Sequence, residues 1–265
     1  MRFLIAPSAV DDLDSLVRAG EAVHAAGLDG VYLARTAALP SPLVAAAALS
    51  ARVPHLRLAV EVEVGEEHPM EIAEEAAVVD VASGGRLILV ATPAPDREAR
   101  FGEVLDLLRT AFAPVPFRFE GPTWRVPANL PQNEFNLEVR ARLTPSPVQP
   151  RLEVWGAGCG RDEALRRGLG YVAGADDDLG ALGTAWAGAA ALASVGAPRV
   201  RRDTYDGDAA ALVARLRAGR EAFGQGWAVV GADATAAVEI SRRVRPRVQS
   251  DRLPEGLEAH WDATL

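Results

Sequence analysis

The stretch LRLAVEVEVGEEHPMEIAEEAAVVDVASGGRLILVA, residues 56–91, reads as a strand, a helix and a second strand in immediate succession. Val60, Val62 and Val64 alternate with Glu61 and Glu63, the period of two that sends apolar side chains to one face of a strand and carboxylates to the other. Pro69 then opens a helix expected over Pro69–Ala82, since proline's fixed φ suits the first helical position. Gly84-Gly85 lets the chain leave that helix through left-handed dihedrals and enter the apolar run RLILVA (86–91) at once.

The same rhythm extends in both directions. RFLIA (2–6) precedes an amphipathic stretch, Asp11–Ala26, capped by Gly27, and DGVYLA (29–34) precedes Ser41-Pro42 and a helix over Leu43–Arg52. After RLILVA comes a helical pattern over Arg97–Phe112. Residues 114–150 then break the pattern with prolines and an expected hairpin, FRFEGPTWRVP (117–127), too short an excursion to form a separate domain. LEVWG (152–156), YVAGA (171–175), PRVRR (198–202) and WAVVGA (227–232) each precede a further helix, expected over Asp162–Arg167, Leu179–Ser194, Ala209–Phe223 and Ala234–Arg245. Eight strand–helix units in 265 residues match a compact (β/α)8 TIM barrel, a fold of roughly 250 residues. The rival, a doubly wound open sheet, usually carries a Gly-rich turn after its first strand, and IAPSAVDD has none. The expectation is therefore one α/β barrel domain over residues 1–265.

Composition narrows the function. A net charge of −8 argues against a nucleic-acid partner, which calls for a basic footprint. All 28 basic residues are arginine, so lysine Schiff-base chemistry and a P-loop lysine are excluded. The apolar runs are short and Ala-rich, which predicts no membrane span, and MRFLIAP reads as a first strand instead of a signal peptide. The lone Cys159 excludes an internal disulfide and fits a reducing, cytoplasmic setting. The four histidines, His24, His55, His68 and His260, have no metal-ligand spacing.

Several segments, taken in order, resemble one family: AAGLDGVYLAR (25–35), PSPLVAAAALSARVPHLRL (40–58), HPMEIAEEAAVVDVASGGRLIL (68–89), RFGEVLDLLRTAF (100–112), FEGPTWRVP (119–127) and PSPVQPRLEVWGAG (145–158). The series is similar to the bacterial luciferase-like monooxygenases, with His68-Pro69, Glu74-Glu75, Asp80 and Ser83-Gly84-Gly85-Arg86 as its most specific part. The resemblance implies a barrel that binds flavin mononucleotide (FMN) or the deazaflavin coenzyme F-420 and carries out a redox step on a small organic molecule. It places the cofactor ring over the mouth near the end of the third strand, and the phosphate on the loop Gly156-Ala157-Gly158-Cys159-Gly160 running into Arg161. Read from its residues alone, that loop is either an anion cradle or a flexible turn. This chain has Arg35 and Thr36 after its second strand where many family members have acidic and histidine residues, and its loop after the fourth strand is short. A second reading is therefore a relative without cofactor chemistry that serves as a binding or partner subunit.

His68, beside Glu66 and Glu67, is the candidate proton-handling group, its alternative role being to order the loop before Pro69. Glu61 and Glu63 face the barrel interior if the valines face the helices. They then need cations, for which Arg57 (on the same strand face) or Arg86 is expected, whether as a structural ion network or as part of the catalytic site. Asp80 and Arg86 are expected to pair across the Gly84-Gly85 turn. Cys159 is either a nucleophile or small filler in a tight loop, while Phe119, Trp124, Trp155 and Tyr32 wall a cavity or pack. The Ala-rich LVAAAALSA (43–51) is either a homodimer face or an internal helix.

Overall fold

A computed structural model describes residues 1–128, 139–190 and 198–249. In chain order its strands are β1 (Arg2–Pro7), β2 (Gly30–Leu33), β3 (Arg57–Val64), β4 (Leu87–Pro93), β5 (Phe119–Glu120), β6 (Arg125–Val126), β7 (Glu153–Ala157), β8 (Gly170–Ala173), β9 (Arg199–Thr204) and β10 (Trp227–Ala232). Eight of them form a closed parallel barrel; β4 pairs with β7 across the excursion, and β1 pairs with β10 to close the ring. β5 and β6 are the expected hairpin, antiparallel and outside the barrel.

The helices are α1 (Leu13–Ala25), α2 (Pro42–Arg52), α3 (Pro69–Ser83), α4 (Glu98–Ala111), α5 (Arg161–Arg166), α6 (Leu179–Ala190) and α7 (Ala209–Phe223). They begin and end within a residue or two of the sequence expectation, apart from α6, whose expected last residues lie outside the described ones. The final helix differs. Expected as one element over 234–245, it is α8 (Ala236–Glu239), a π turn at Ile240–Val244 and α9 (Arg245–Gln249). Pro246 has no N–H to give to a carbonyl one turn earlier, and the chain widens just before it.

The termini of α3 follow from local chemistry. His68 is the N-cap, Pro69 the first helical residue, and Gly84, at φ +67°, ends the helix with its N–H on the carbonyls of the last turn. Ser41 is likewise the N-cap of α2, but its side chain makes no capping bond.

Strand parity divides the core. Leu58, Val60 and Val64 of β3 pack outward with Leu87 and Leu89 of β4 against the helices, while Ala59, Ile88 and Val90 pack inward with Leu4, Val172, Val200 and Val229. At the lower end Trp155 meets Trp227 edge to face at 5.4 Å. A Cβ on Gly170 would collide with the Trp155 indole, so the ring rests against bare backbone. Below the indoles, Glu153 accepts from Trp155 Nε1 at 2.9 Å and pairs with Arg57 at 3.7 Å.

Two expected ion pairs do not form. Asp80, fully buried, accepts from the N–H groups of Val148 (2.8 Å) and Gln149 (3.0 Å) and from Gln149 Nε2 (2.7 Å), thereby tying the 145–150 segment to α3. Arg86 turns away from it to the carbonyls of Ser83, Leu56 and Ser50. Arg57 shares a face with Glu61 but stands four residues earlier, roughly 13 Å down the strand, and pairs with Glu153.

Removing the Asp80 carboxylate strands three donors at once. Asp80→Ala should lower the unfolding free energy by about 3 kcal/mol, since each hydrogen bond to a charged group contributes about 1.5–3 kcal/mol. Asp80→Asn, which keeps an acceptor oxygen, should lose less; urea denaturation of the two variants measures the difference.

Candidate active site

The mouth of the barrel, at the C-terminal ends of its strands, is where enzymes of this fold place their chemistry. Here four inward residues meet. Glu61 on β3 accepts from the Tyr32 hydroxyl on β2 at 2.8 Å and from Thr92 Oγ1 on β4 at 3.0 Å. Arg202, on β9 across the barrel, donates through Nη2 to both the Glu61 carboxylate and the Tyr32 hydroxyl, and its guanidinium lies over the Tyr32 ring, 4.8 Å from the centroid. The expectation that Glu61 faces the interior and needs a cation is met, but by Arg202 and not by Arg57 or Arg86. Glu63, two residues further out, is 55% exposed on the rim and lies 3.9 Å from Arg35.

Burial, reinforced by the Glu61 carboxylate, pushes the Tyr32 phenol well above its ordinary range, so it stays a protonated donor. Burial also opposes the charge of Arg202, but Tyr32 and Glu61 outweigh it and hold the guanidinium above its usual value.

Beside this cluster opens a cavity of about 700 Å³, within the size range of small-molecule sites. Ala6, Leu33, Leu39 and Val229 give it apolar wall, while Tyr32, Arg202 and Thr204 give it polar wall. Neither Phe119 nor Trp124 lines it, and Trp155 is buried in the barrel floor.

His68 is engaged elsewhere. Its Nδ1 accepts from the Met70 N–H at 3.2 Å as the cap of α3, and its ring meets Trp124 edge-on at 6.4 Å; it does not line the cavity. The Gly156–Arg161 loop also lies at the mouth, after β7, outside the cavity lining. Gly156 is bare because α5 packs on it through Ala164, and Gly160 because Phe101 does. Gly158 is different: exposed, at φ +60°, with the Thr92 methyl close to where a Cβ would stand and its carbonyl 2.9 Å from the Tyr171 hydroxyl. Arg161 is 44% exposed and bonds Asp162 at 2.9 Å. Among the described residues no cluster of side chains could hold a metal ion.

Two functional groups escaped the sequence reading, Arg202 and Thr92. The parity of β9 carries a signal for the first, because Val200 must face inward and Arg202 then shares its face.

The comparisons with known proteins fit this geometry. The family model for luciferase-like monooxygenases matches residues 3–238. The chain belongs to that family. Its fold is similar to that of EDTA monooxygenase from Chelativorans sp. BNC1 (TM-score 0.73, 15% identity, 94% of this chain and 93% of that one). It is also similar to coenzyme F-420 dependent tetrahydromethanopterin reductase from Methanopyrus kandleri (0.70, 11%, 93% and 98%). A third similar structure is the oxygenating constituent of 3,6-diketocamphane monooxygenase from Pseudomonas putida in complex with FMN (0.67, 16%, 96% and 99%). No curated protein matches the chain in sequence.

Burial and the nearby Glu98 carboxylate, whose oxygen lies 3.8 Å from Sγ, push the Cys159 thiol up. Little thiolate is then present near neutrality, the opposite of an activated nucleophile. Alkylation of Cys159 by iodoacetamide at pH 8 should be slower than that of free cysteine, and Glu98→Gln should accelerate it; a rate already at its plateau at pH 8 would contradict the assignment.

Proposed function

We propose that the chain is a flavin- or deazaflavin-dependent oxidoreductase acting on a small organic molecule in the cavity at the barrel mouth. The observation that carries this reading is the charge-compensated cluster Glu61–Arg202–Tyr32 beside a cavity of about 700 Å³. Two uncompensated carboxylates at this level would oppose a reduced, anionic flavin. Instead Arg202 supplies the countercharge for Glu61, and Glu63 stands out on the solvent-exposed rim with Arg35. The donor set therefore fits an isoalloxazine or deazaflavin ring. When bound, the cofactor supplies the two-electron redox chemistry.

The chain's own residues hold and shield. Tyr32 and Thr92 fix the two Glu61 oxygens, which fixes Arg202, so the polar group at the cavity edge is oriented before anything binds. Leu33, Leu39 and Val229 exclude water from the remaining wall. We assign the catalytic constellation to Glu61, Tyr32 and Arg202. His68 is a positioning residue that holds the start of α3, and Glu63 is a rim charge. For the cofactor phosphate we propose the loop Gly156, Gly158, Cys159 and Gly160 with Arg161, in which Gly158, Cys159 and Arg161 are the exposed members and Gly156 and Gly160 allow the tight packing beneath.

The reading as a partner subunit without cofactor chemistry is not favoured: of the features behind it, Glu61 is compensated by Arg202 and Glu63 stands at the rim, which leaves Arg35, Thr36 and the short loop after β4. A homodimer is part of the proposal. α2 buries Leu43, Ala45, Ala46 and Leu49 inward and leaves Val44 65% exposed, and the neighbouring α3 exposes Val78 and Val81.

Titration of the purified protein with FMN, followed by flavin fluorescence, tests the proposal. FMN should bind more tightly than riboflavin, and Arg161→Glu should weaken FMN by about tenfold or more while leaving riboflavin unchanged, as expected for one charged hydrogen bond to phosphate. Failure of both FMN and coenzyme F-420 to bind would remove the redox reading.

A further inference from the structure

Arg202 is used on one side only. Nη2 serves Glu61 and Tyr32, whereas Nη1 makes no hydrogen bond to any described residue, and 38% of the side chain is exposed where it lines the cavity. Its Nε is buried and makes no hydrogen bond, whereas Arg201 and Asp203, on the other face of β9, turn to each other and to Arg215 of α7. Unpaired buried polar atoms are rare in folded proteins, and an arginine at a cavity wall with Nε unpaired and Nη1 open has hydrogen-bonding capacity left for a polar ligand.

The guanidiniums there are not used alike. Arg201 lies 3.9 Å from Asp203, and Arg215 donates to the same carboxylate at 2.9 Å. Arg202 faces Glu61. Asp203 therefore takes two of the three guanidiniums, and Arg202 is the one that pairs with Glu61 and keeps a terminal nitrogen open to the cavity. Asp206, the remaining acid of the wall, is exposed at the rim and turned to the Asp208 N–H at 3.2 Å. The uncharged remainder of the wall is mostly apolar, with the hydroxyls of Ser8, Tyr32, Thr36 and Thr204 among it.

We infer that the substrate is a small monocarboxylate with an apolar body, its carboxylate accepting from Nη1 of Arg202 and its body lying against Leu33, Leu39 and Val229. The inference rests on the cavity being the substrate site of the proposed oxidoreductase. Arg202 lines the cavity and Glu61 does not, so an anion entering the mouth meets the guanidinium first, and one open terminal nitrogen suits a monoanion better than a phosphate dianion. Because Tyr32 and Thr92 pin Glu61, and Glu61 pins Arg202, the anchor is oriented in advance and a charged hydrogen bond forms at little ordering cost.

Isothermal titration of the full chain with benzoate and with hexanoate, each set against its neutral amide, tests the inference. Each carboxylate should bind at least about tenfold more tightly than its amide, the discrimination expected of one charged hydrogen bond. R202M should abolish that preference. Because R202M leaves Glu61 without its cation, the double variant E61Q/R202M, checked for folding by circular dichroism, serves as the second test and should also lose the preference. Equal binding of acid and amide, binding of neither carboxylate, or a preference kept in the folded double variant would overturn the inference. So would displacement of benzoate by FMN, which would assign Arg202 to the cofactor. If benzoate binds through Arg202 while FMN and coenzyme F-420 do not bind, the anchor stands and the redox reading falls; if FMN binds without any acid preference, the reverse holds.

Discussion

A carboxylate inside a barrel requires a cation at its own height, and the structure meets this requirement with one pair. Glu61 and Arg202 are 141 residues apart in sequence and come from strands that never hydrogen-bond to each other. Only ring closure brings them together, so the pair depends on every strand pairing around the circumference. The dependence runs the other way too. Removing one partner of a buried pair leaves a desolvated charge whose cost is larger than the net contribution of the intact pair. A mispaired or shifted strand would incur that cost. The mouth cluster thus favours one register while presenting a polar surface to whatever binds.

The barrel itself was legible because its signals are local. Alternation in β3, the proline and paired glycines around α3, and the repetition of such units are all properties of short windows. The end of the last helix was misread because the effect of Pro246 propagates backwards into residues that look regular. The site was only half legible. Parity correctly sent Glu61 inward and would have sent Arg202 inward as well. Neither parity nor spacing reports relative height around a closed barrel, and that is why Arg57, on the correct face, turned out to belong to the opposite end. Asp80 and Arg86 failed as a pair for a related reason. Each found other partners, two backbone N–H groups and the Gln149 side-chain amide for one and three carbonyls for the other, in segments up to 69 residues away.

The all-arginine basic set has a structural use beyond ion pairs. Arg86 spans from the end of α3 to the carbonyls of Ser50 and Leu56; Arg199 caps the Phe223 carbonyl at 2.8 Å, and Arg217 and Arg220 reach the Arg247 and Val248 carbonyls at the chain's last described helix. A planar guanidinium with five N–H donors can bridge separate carbonyls in this manner, whereas an ammonium on a flexible stem is a poorer match to such geometry. The outer shell is thereby tied across its joints by side chains that reach from one element to the carbonyls of another.

The paired indoles in the barrel floor have a consequence for order. With Trp155 and Trp227 meeting edge to face below and the Arg57–Glu153 pair beneath them, the lower end is plugged, so traffic to the interior passes through the mouth. A site with a single doorway imposes a sequence of arrivals and departures. Whatever sits deepest must enter first and leave last, and an occupant nearer the rim acts as a stopper on the one below it.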